Sequence, residues 1–440
     1  MIEQLAEVPT YEAYKDSGVE WLGEIPAHWD VKPGFTIFNE NKRNNRGMKE
    51  SQVLSLSYGN IVVKPPEKLV GLVPESFETY QLVEPGDIIV RCTDLQNDQT
   101  SLRTGLAKDK GIITSAYLNL LVKKGNNSRY WHYYLHSLDI TKVIYKFGSG
   151  LRQNLSYLDF KRLPIFDISL SEQTSIAAFL DRKTAQIDQA VAIKEQQISL
   201  LKERKQILIQ NAVTRGLDPN VPMRDSGVEW IGEIPAHWNL KRLKYILNER
   251  NERSKTGQEP LFMVSQTHGL VVRSEFHEKA EVAQSNVDNK IVYKNDLVFN
   301  KLKAHLGVFF KSNIDFKGLV SPDYAVYHSN GLIDDLKYLE HLFRHPAYIG
   351  QFIIRATGIV EGLIRLYTGD LFKISIPVPP KQEQKTILAH IETQSAKIDQ
   401  AIAIQQQQID KLKEYKATLI NSTVTGKIRV PESVQLEGMR

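Results

Sequence analysis

The stretch DSGVEWLGEIPAHW at residues 16–29 returns at residues 225–238 as DSGVEWIGEIPAHW, and the copies differ only at Leu22 against Ile231. A second pair follows at nearly the same offset: EQTSIAAFLDRKTAQIDQAVAI at 172–193 and EQKTILAHIETQSAKIDQAIAI at 383–404. Solenoid repeats have periods of about 20 to 50 residues, so two offsets near 210 mean that a whole half-chain is duplicated, with a pseudo-twofold relation between like-folded halves. Between the repeats the halves diverge, with faint matches such as PGDIIVR from Pro85 against KNDLVFN from Lys294. A shared frame with different interiors is expected where each half binds a different ligand in the same manner.

The second repeated block opens a long helix. No Pro or Gly interrupts residues 171–213, and Ile187, Val191, Lys194, Ile198, Leu201, Lys205, Leu208 and Ala212 fall at alternating spacings of four and three. That is a heptad seam, and a helix this long would reach roughly 63 Å at 1.5 Å per residue, too far for burial in one globule. Ile398, Ile402, Ile409, Leu412 and Leu419 repeat the seam, so the two helices are expected to pack side by side, antiparallel. Gly216 followed by Pro219, and Gly426 followed by Pro431, are the expected helix stops. In the shorter repeat, Trp21 with Trp29 and Trp230 with Trp238 are expected anchors, and His28 and His237 packed structural residues.

Residues 30–170 and 239–380 are mixed α/β, dominated by short β-rich runs (VLSLSY, DIIVRC, KIVYKNDLVF) punctuated by Gly, Pro and Asn, with one helix-like stretch each, from Arg129 and from Asp334. Their expected loops collect the side chains that reach phosphates and base edges. In the first half these are Lys42, Arg43, Arg46 and Lys49, then Arg91, Thr93 and Arg103. In the second half they are Arg250, Arg253 and Lys255, then Asn300, Lys301, Lys303 and His305. A glycine turn, Ser149-Gly150-Leu151-Arg152-Gln153, is matched by Thr357-Gly358-Ile359-Val360-Glu361 and could bring backbone N–H groups to a phosphate; the acid at Glu361 would oppose that contact.

The 440 residues carry 56 Lys and Arg against 51 Asp and Glu, a net charge of +5 that permits a nucleic-acid partner without demanding one. A single cysteine, Cys92, excludes an internal disulfide and a Cys-rich zinc site. No apolar run approaches the roughly 18 residues of a membrane span, and no apolar signal opens the chain, so no membrane role and a cytoplasmic location are expected. There is no GxxxxGK[ST] loop for an ATPase and no [DNS]PP[YF] motif for amino-group methylation. Pro322-Asp323 followed by Asp335-Leu336-Lys337 has the order of a metal-dependent nuclease site, but the first half has no equivalent. No catalytic residues and no metal ligands are therefore assigned.

With DSGVEWLGEIPAHW, SEQTSIAAFLDRKTAQIDQ and their second copies in view, together with PGDIIVR and IPVPPKQEQ, the chain resembles the specificity subunits of type I restriction-modification enzymes over nearly its whole length. The resemblance implies an α+β fold with two pseudo-symmetric target-recognition domains separated by two long antiparallel coiled-coil helices. Its parts would be residues 1–170, the helix at 171–217, residues 218–380, and the helix and tail at 381–440. It further implies a DNA-binding subunit, non-catalytic alone, reading a bipartite target in double-stranded DNA for defence against foreign DNA. Two DNA methyltransferase subunits and motor-nuclease restriction subunits would be its partners. No cofactor would bind this chain, whereas S-adenosylmethionine, ATP and Mg would be held by those partners.

Overall fold

Both copies of the shorter repeat fold as tight antiparallel ladders. The computed structural model describes residues 9–68, 76–98, 100–147, 154–265, 268–276, 285–358 and 365–430, without the side chains of residues 304 and 305. β1 (Tyr14–Asp16) pairs with β2 (Glu24–Pro26). β3 (Asp30–Pro33) opens the first variable region, followed by β4 (Phe38–Glu40), the hairpin β5 (Leu54–Ser57) and β6 (Asn60–Val63), β7 (Gln81–Val83), β8 (Ile88–Val90), β9 (Thr104–Leu106), β10 (Gly111–Ile113) and β11 (Leu118–Val122). A sheet of order β4-β11-β8-β9 forms beside the pairs β5-β6 and β7-β10, all antiparallel. α1 (Ser128–Ile140) starts at Asn127, whose side chain accepts from the N–H groups of Arg129 and Tyr130. α2 (Tyr157–Arg162) and β12 (Pro164–Asp167) follow, and β12 pairs with β3 so that Asp30 lies opposite Asp167. The variable region therefore begins and ends in one ladder. α3 (Leu170–Arg215) then runs for 46 residues.

The second half repeats this order. β13 (Met223–Asp225), β14 (Glu233–Pro235), β15 (Asn239–Arg242), β16 (Leu247–Glu249), β17 (Phe262–Ser265), β18 (Gly269–Val272), β19 (Lys290–Val292), β20 (Leu297–Asn300), β21 (Phe309–Lys311), β22 (Gly318–Val320) and β23 (Tyr324–Ser329) give a sheet of order β16-β23-β20-β21 with the pairs β17-β18 and β19-β22. The helix-like stretch from Asp334 is two helices, α4 (Lys337–Leu342) and α5 (Pro346–Arg355), because Pro346 has no N–H to continue α4 but suits the first turn of α5. α6 (Thr368–Leu371), β24 (Ser375–Val378, paired with β15) and α7 (Lys381–Val424, 44 residues) complete the chain.

The chain divides into two compact units, residues 1–195 with 406–440, and residues 196–405. Each long helix is thus shared between the units. Within the first unit Lys416 Nζ lies 2.7 Å from Asp188, and Lys194 meets Gln408; within the second, Lys205 Nζ lies 2.6 Å from Asp399. In the first unit partner numbers fall along α7 as they rise along α3, and in the second Gly216 at the end of α3 lies beside Glu383 near the start of α7, so the helices pack antiparallel in each unit. The expected α3 seam residues are all buried or half-buried, whereas Ile193, Leu200 and Ile207 between them are exposed.

The repeated residues staple each variable region to a helix start. Glu172 accepts from Trp29 Nε1 at 3.1 Å and Tyr11 Oη at 2.6 Å, with His28 Nε2 at 3.3 Å; Glu383 accepts from Trp238 Nε1 at 3.0 Å, with His237 Nε2 at 2.7 Å. Gln173 accepts from the N–H of Asn127 and donates to the carbonyl of Ile168, and Gln384 accepts from the N–H of Asp334 and donates to the carbonyl of Pro379. Tyr130 of α1 donates to the carbonyl of Val424, and Tyr338 of α4 to that of Val213. Both helix stops are left-handed glycines, with φ of +77° at Gly216 and +76° at Gly426, where a Cβ would press on Glu383 and on Pro26 respectively. Beyond Gly426, the N–H of Arg429 donates to the carbonyl of Pro9 at 2.7 Å. Among the described residues no helix is long and apolar enough to cross a membrane.

Candidate nucleic-acid interface

The central strands β8 and β20 explain how the candidate loops are placed. Ile88 and Val90 face the main core of the first unit while Ile89 faces a smaller core beneath the β5-β6 hairpin, and Leu297, Phe299 and Val298 divide in the same way in the second. With both faces buried, PGDIIVR and KNDLVFN read as unbroken apolar runs. β4 and β8 are each antiparallel to β11, so they run parallel and leave the sheet by the same end; β16 and β20 do likewise beside β23. The segment after β8 meets the chain that follows the glycine turn, through Leu155 N–H to Cys92 O (2.9 Å) and Asp94 N–H to Asn154 Oδ1 (2.9 Å). Leu366 N–H to Lys301 O (3.2 Å) is the equivalent in the second unit. Two of the three candidate regions therefore converge in each half.

The candidate side chains do not share one setting. Lys42, Arg46, Lys49, Arg253, Lys255 and Lys303 are exposed, with Lys42 beside Glu40 at 3.0 Å and Arg253 bonded to the carbonyl of Asp288 at 2.9 Å. Arg250, half-buried, and Arg43, although its side chain is 44% exposed, are anchored. Arg43 donates to Asp87 at 2.9 Å, and Arg250 grips Asp296 through two bonds of 2.8 and 3.0 Å while lying over the Tyr293 ring. Asp87 and Asp296 are the buried acids of the PGD and KND turns, so these arginines tie the loop to the sheet. The Asp296 bonds raise the Arg250 pKa further. The match between the loops is also looser than the sequence suggests: Arg250 stands where the first half has Asn41, and Arg253 where it has Asn44, since Asn44 bridges Gln81 and Arg253 bridges Lys290.

Arg103 leaves the candidate set altogether. It is fully buried, with Nε donating to Tyr145 Oη at 2.9 Å, Nη1 to the carbonyls of Thr93 (2.8 Å) and Arg91 (3.3 Å), and Nη2 to the carbonyls of Asp94 (3.1 Å) and Asp98. A guanidinium offers five donors in a fixed fork, and here the fork organises the loop after β8 from inside. Arg91 pairs with Asp98 at 3.1 Å, and Thr93, half-buried, offers its carbonyl to Arg103. Hydrogen bonds from Ser101, with a smaller part from Thr100 and Arg91, hold Asp98 down to about 2. Asn300 is half-buried and accepts from Leu302 N–H at 3.0 Å. Arg152, Gln153 and Glu361 lie outside the described residues, as does the side chain of His305.

Sequence reasoning passed over Glu249 and Lys290. Glu249 ends β16, where Glu40 ends β4, so the repeat itself carried the signal. Lys290 Nζ lies 3.2 Å from Glu249 and only 4% of its side chain is exposed, whereas Lys301 Nζ stops at 3.9 Å from the same carboxylate. Burial, and then the Lys290 charge, push the Lys301 pKa down. Of the nuclease-like residues, Asp335 is taken by Lys311 at 2.9 Å and Asp323 lies 3.9 Å from Arg365. No group of three His, Cys, Asp or Glu able to hold a metal occurs among the described residues.

No family model matches the chain. Two curated proteins of Methanocaldococcus jannaschii are similar to it. One, named as the MjaX specificity subunit of a type I restriction enzyme, is 24% identical over 436 residues, 93% of this chain and 96% of the relative. The other, the type I restriction enzyme MjaVIII specificity subunit, is 24% identical over 340 residues, 73% of this chain and 75% of the relative. Among solved structures, a chain of a type I R-M system described for its complex assembly and conformational transition superposes with a TM-score of 0.64 at 12% identity, covering 91% of this chain and 98% of that one. Along nearly its whole length the chain is thus similar to type I restriction enzyme specificity subunits, and it shares the fold of a type I R-M chain.

Proposed function

We propose that this chain is the DNA-recognition subunit of a type I restriction-modification system, reading a bipartite target in double-stranded DNA through its two variable regions. The observation that supports this most is the repeat itself: one scaffold of helix, staple and sheet occurs twice, while the variable regions built on it differ in sequence. The paired helices set the unread spacer and dock two methyltransferase subunits, and motor-nuclease subunits join that assembly. S-adenosylmethionine, ATP and magnesium belong to those partners, and the chain works in the cytoplasm without chemistry of its own. Expressing it with its methyltransferase partner and mapping adenine methylation is expected to reveal one split sequence of two short halves. A contiguous site, or no methylation, would overturn the reading.

The loop after β4 supplies phosphate contacts through its exposed cations. Arg46→Ala with Lys49→Ala is expected to weaken binding of the methyltransferase complex to all DNA sequences and to flatten its logarithmic salt dependence by about 0.9 per lost contact. Arg43→Ala, by contrast, is expected to lower thermal stability, since it strips a charged hydrogen bond worth about 1.5–3 kcal/mol from buried Asp87. Titration at several salt concentrations separates the two, and an unchanged slope in the double variant would remove this loop from the interface.

A further inference from the structure

The acid that ends β16 has a setting unlike the other repeated acids. Asp87 and Asp296 each anchor an arginine, and Glu172 and Glu383 each hold a tryptophan, so scaffold acids keep their partners from one half to the other. Glu40 and Glu249 do not. Glu40 meets an exposed Lys42, Gln81 stands where the second half has Lys290, and Cys92 stands where it has Lys301. Gln81 spends its amide on the carbonyls of Thr114 and Tyr117, and burial pushes the Cys92 thiol up to about 12. The acceptor is repeated while its donors change, the pattern of a reader and not of a scaffold.

In the second unit two ammonium groups share one carboxylate. Lys290 is nearly enclosed and takes the close contact; Lys301 and Glu249, each about one-fifth exposed (20% and 21%), remain reachable, with Lys301 beyond hydrogen-bond distance of the acid. Arg365 is brought beside Lys301 by the Leu366 N–H bond, and Tyr324 follows Asp323 nearby. A phosphate would be repelled by Glu249. An edge that offers an acceptor beside a donor would satisfy both groups at once. In the major groove both kinds of base pair set acceptors beside an amino group. The side chains choose between them: Lys pairs with guanine O6 and N7 and Glu with cytosine N4, which together make a G·C pair, whereas adenine is read by Asn or Gln.

We propose that Lys301 and Glu249, backed by Lys290, read one G·C pair in the half-site of the second variable region, Lys301 donating to guanine and Glu249 accepting from the cytosine amino group. The assignment rests on the DNA-recognition reading above. Lys290 is a positioning residue that holds the Glu249 carboxylate in place through its 3.2 Å contact. The test is a methylation map of the complete methyltransferase complex carrying Glu249→Gln or, separately, Lys301→Gln. Each variant is expected to lose about tenfold or more of its preference at one and the same G·C position in one half-site. The other half-site, the spacer and the salt slope should stay as in the unsubstituted complex, and the intact half-site reports that the chain has folded. An equal change across all sequences, with a shifted salt slope, would mean a phosphate contact and overturn the proposal. So would an unchanged map, or loss of the whole half-site in both variants, which a structural role would produce. If the unsubstituted complex methylates no split sequence, the functional reading itself fails.

Discussion

Exchanging residues 34–163 for the corresponding segment of another specificity subunit is expected to change one half of the methylated sequence completely and leave the other half and the spacer as they were. The exchange points are set by β3 and β12, which pair from Asp30 opposite Asp167 to Pro33 opposite Pro164, so the variable region starts and finishes side by side on the scaffold. Lys32 and Asp167 add an ion pair across that ladder. Everything that fastens the unit to the helices from the repeated segments, Trp29, Glu172 and Gln173, lies outside the exchanged segment. Other fastenings lie inside it, among them Tyr130 on Val424, Ser137 on Asn421, Asn127 on Gln173 and the Arg129 and Tyr133 bonds to Asp181, and the donor segment must supply equivalents. Methylation mapping of the chimaera reads the outcome, and a change in both halves would contradict modular recognition.

Arg103→Met is expected to be the most damaging single substitution in the first unit. Methionine keeps much of the volume but leaves the carbonyls of Arg91, Thr93, Asp94 and Asp98 without the fork that holds them. Buried acceptors stripped of a charged donor cost about 1–3 kcal/mol each, and a loss on the order of 3–5 kcal/mol is expected once neighbouring groups relax. Arg103→Lys should recover little, because an ammonium cannot span four carbonyls and the Tyr145 hydroxyl. Thermal unfolding measures the loss, and recognition of the corresponding half-site should fail with it. If Arg103→Met kept native stability and altered only the salt slope, Arg103 would be a phosphate contact after all.

The duplication, the seam and both helix stops were legible because they are local and repeated: identical strings must meet identical surroundings, and a heptad pattern needs no tertiary information. Trp29 and Glu172, 143 residues apart, were each marked by the repeat, yet nothing in the sequence said that one bonds the other. The loop arginines were harder. Arg43, Arg46 and Arg103 are one residue type in similar polar contexts, and only the fold shows that Asp87 takes the first, solvent surrounds the second and four carbonyls enclose the third. Lys290 was invisible for the opposite reason, since it opens a short apolar strand, a place where a lysine reads as a solvated edge residue. The break at Pro346 was local and readable, and the aromatic spacing across it masked the signal.

The bond between Arg429 and Pro9 closes a loop that the covalent chain leaves open. In the second unit the corresponding passage, from Gly216 to β13, is an ordinary stretch of backbone. Within the first unit residues 9 and 429 are therefore held side by side by a backbone hydrogen bond, where the second unit has continuous backbone. A permuted chain, joined between residues 429 and 9 by a short linker and opened between residues 217 and 222, would present the same two sheets in the opposite genetic order. On the proposed reading, the order in which the two variable regions are encoded carries no information about the DNA that they read.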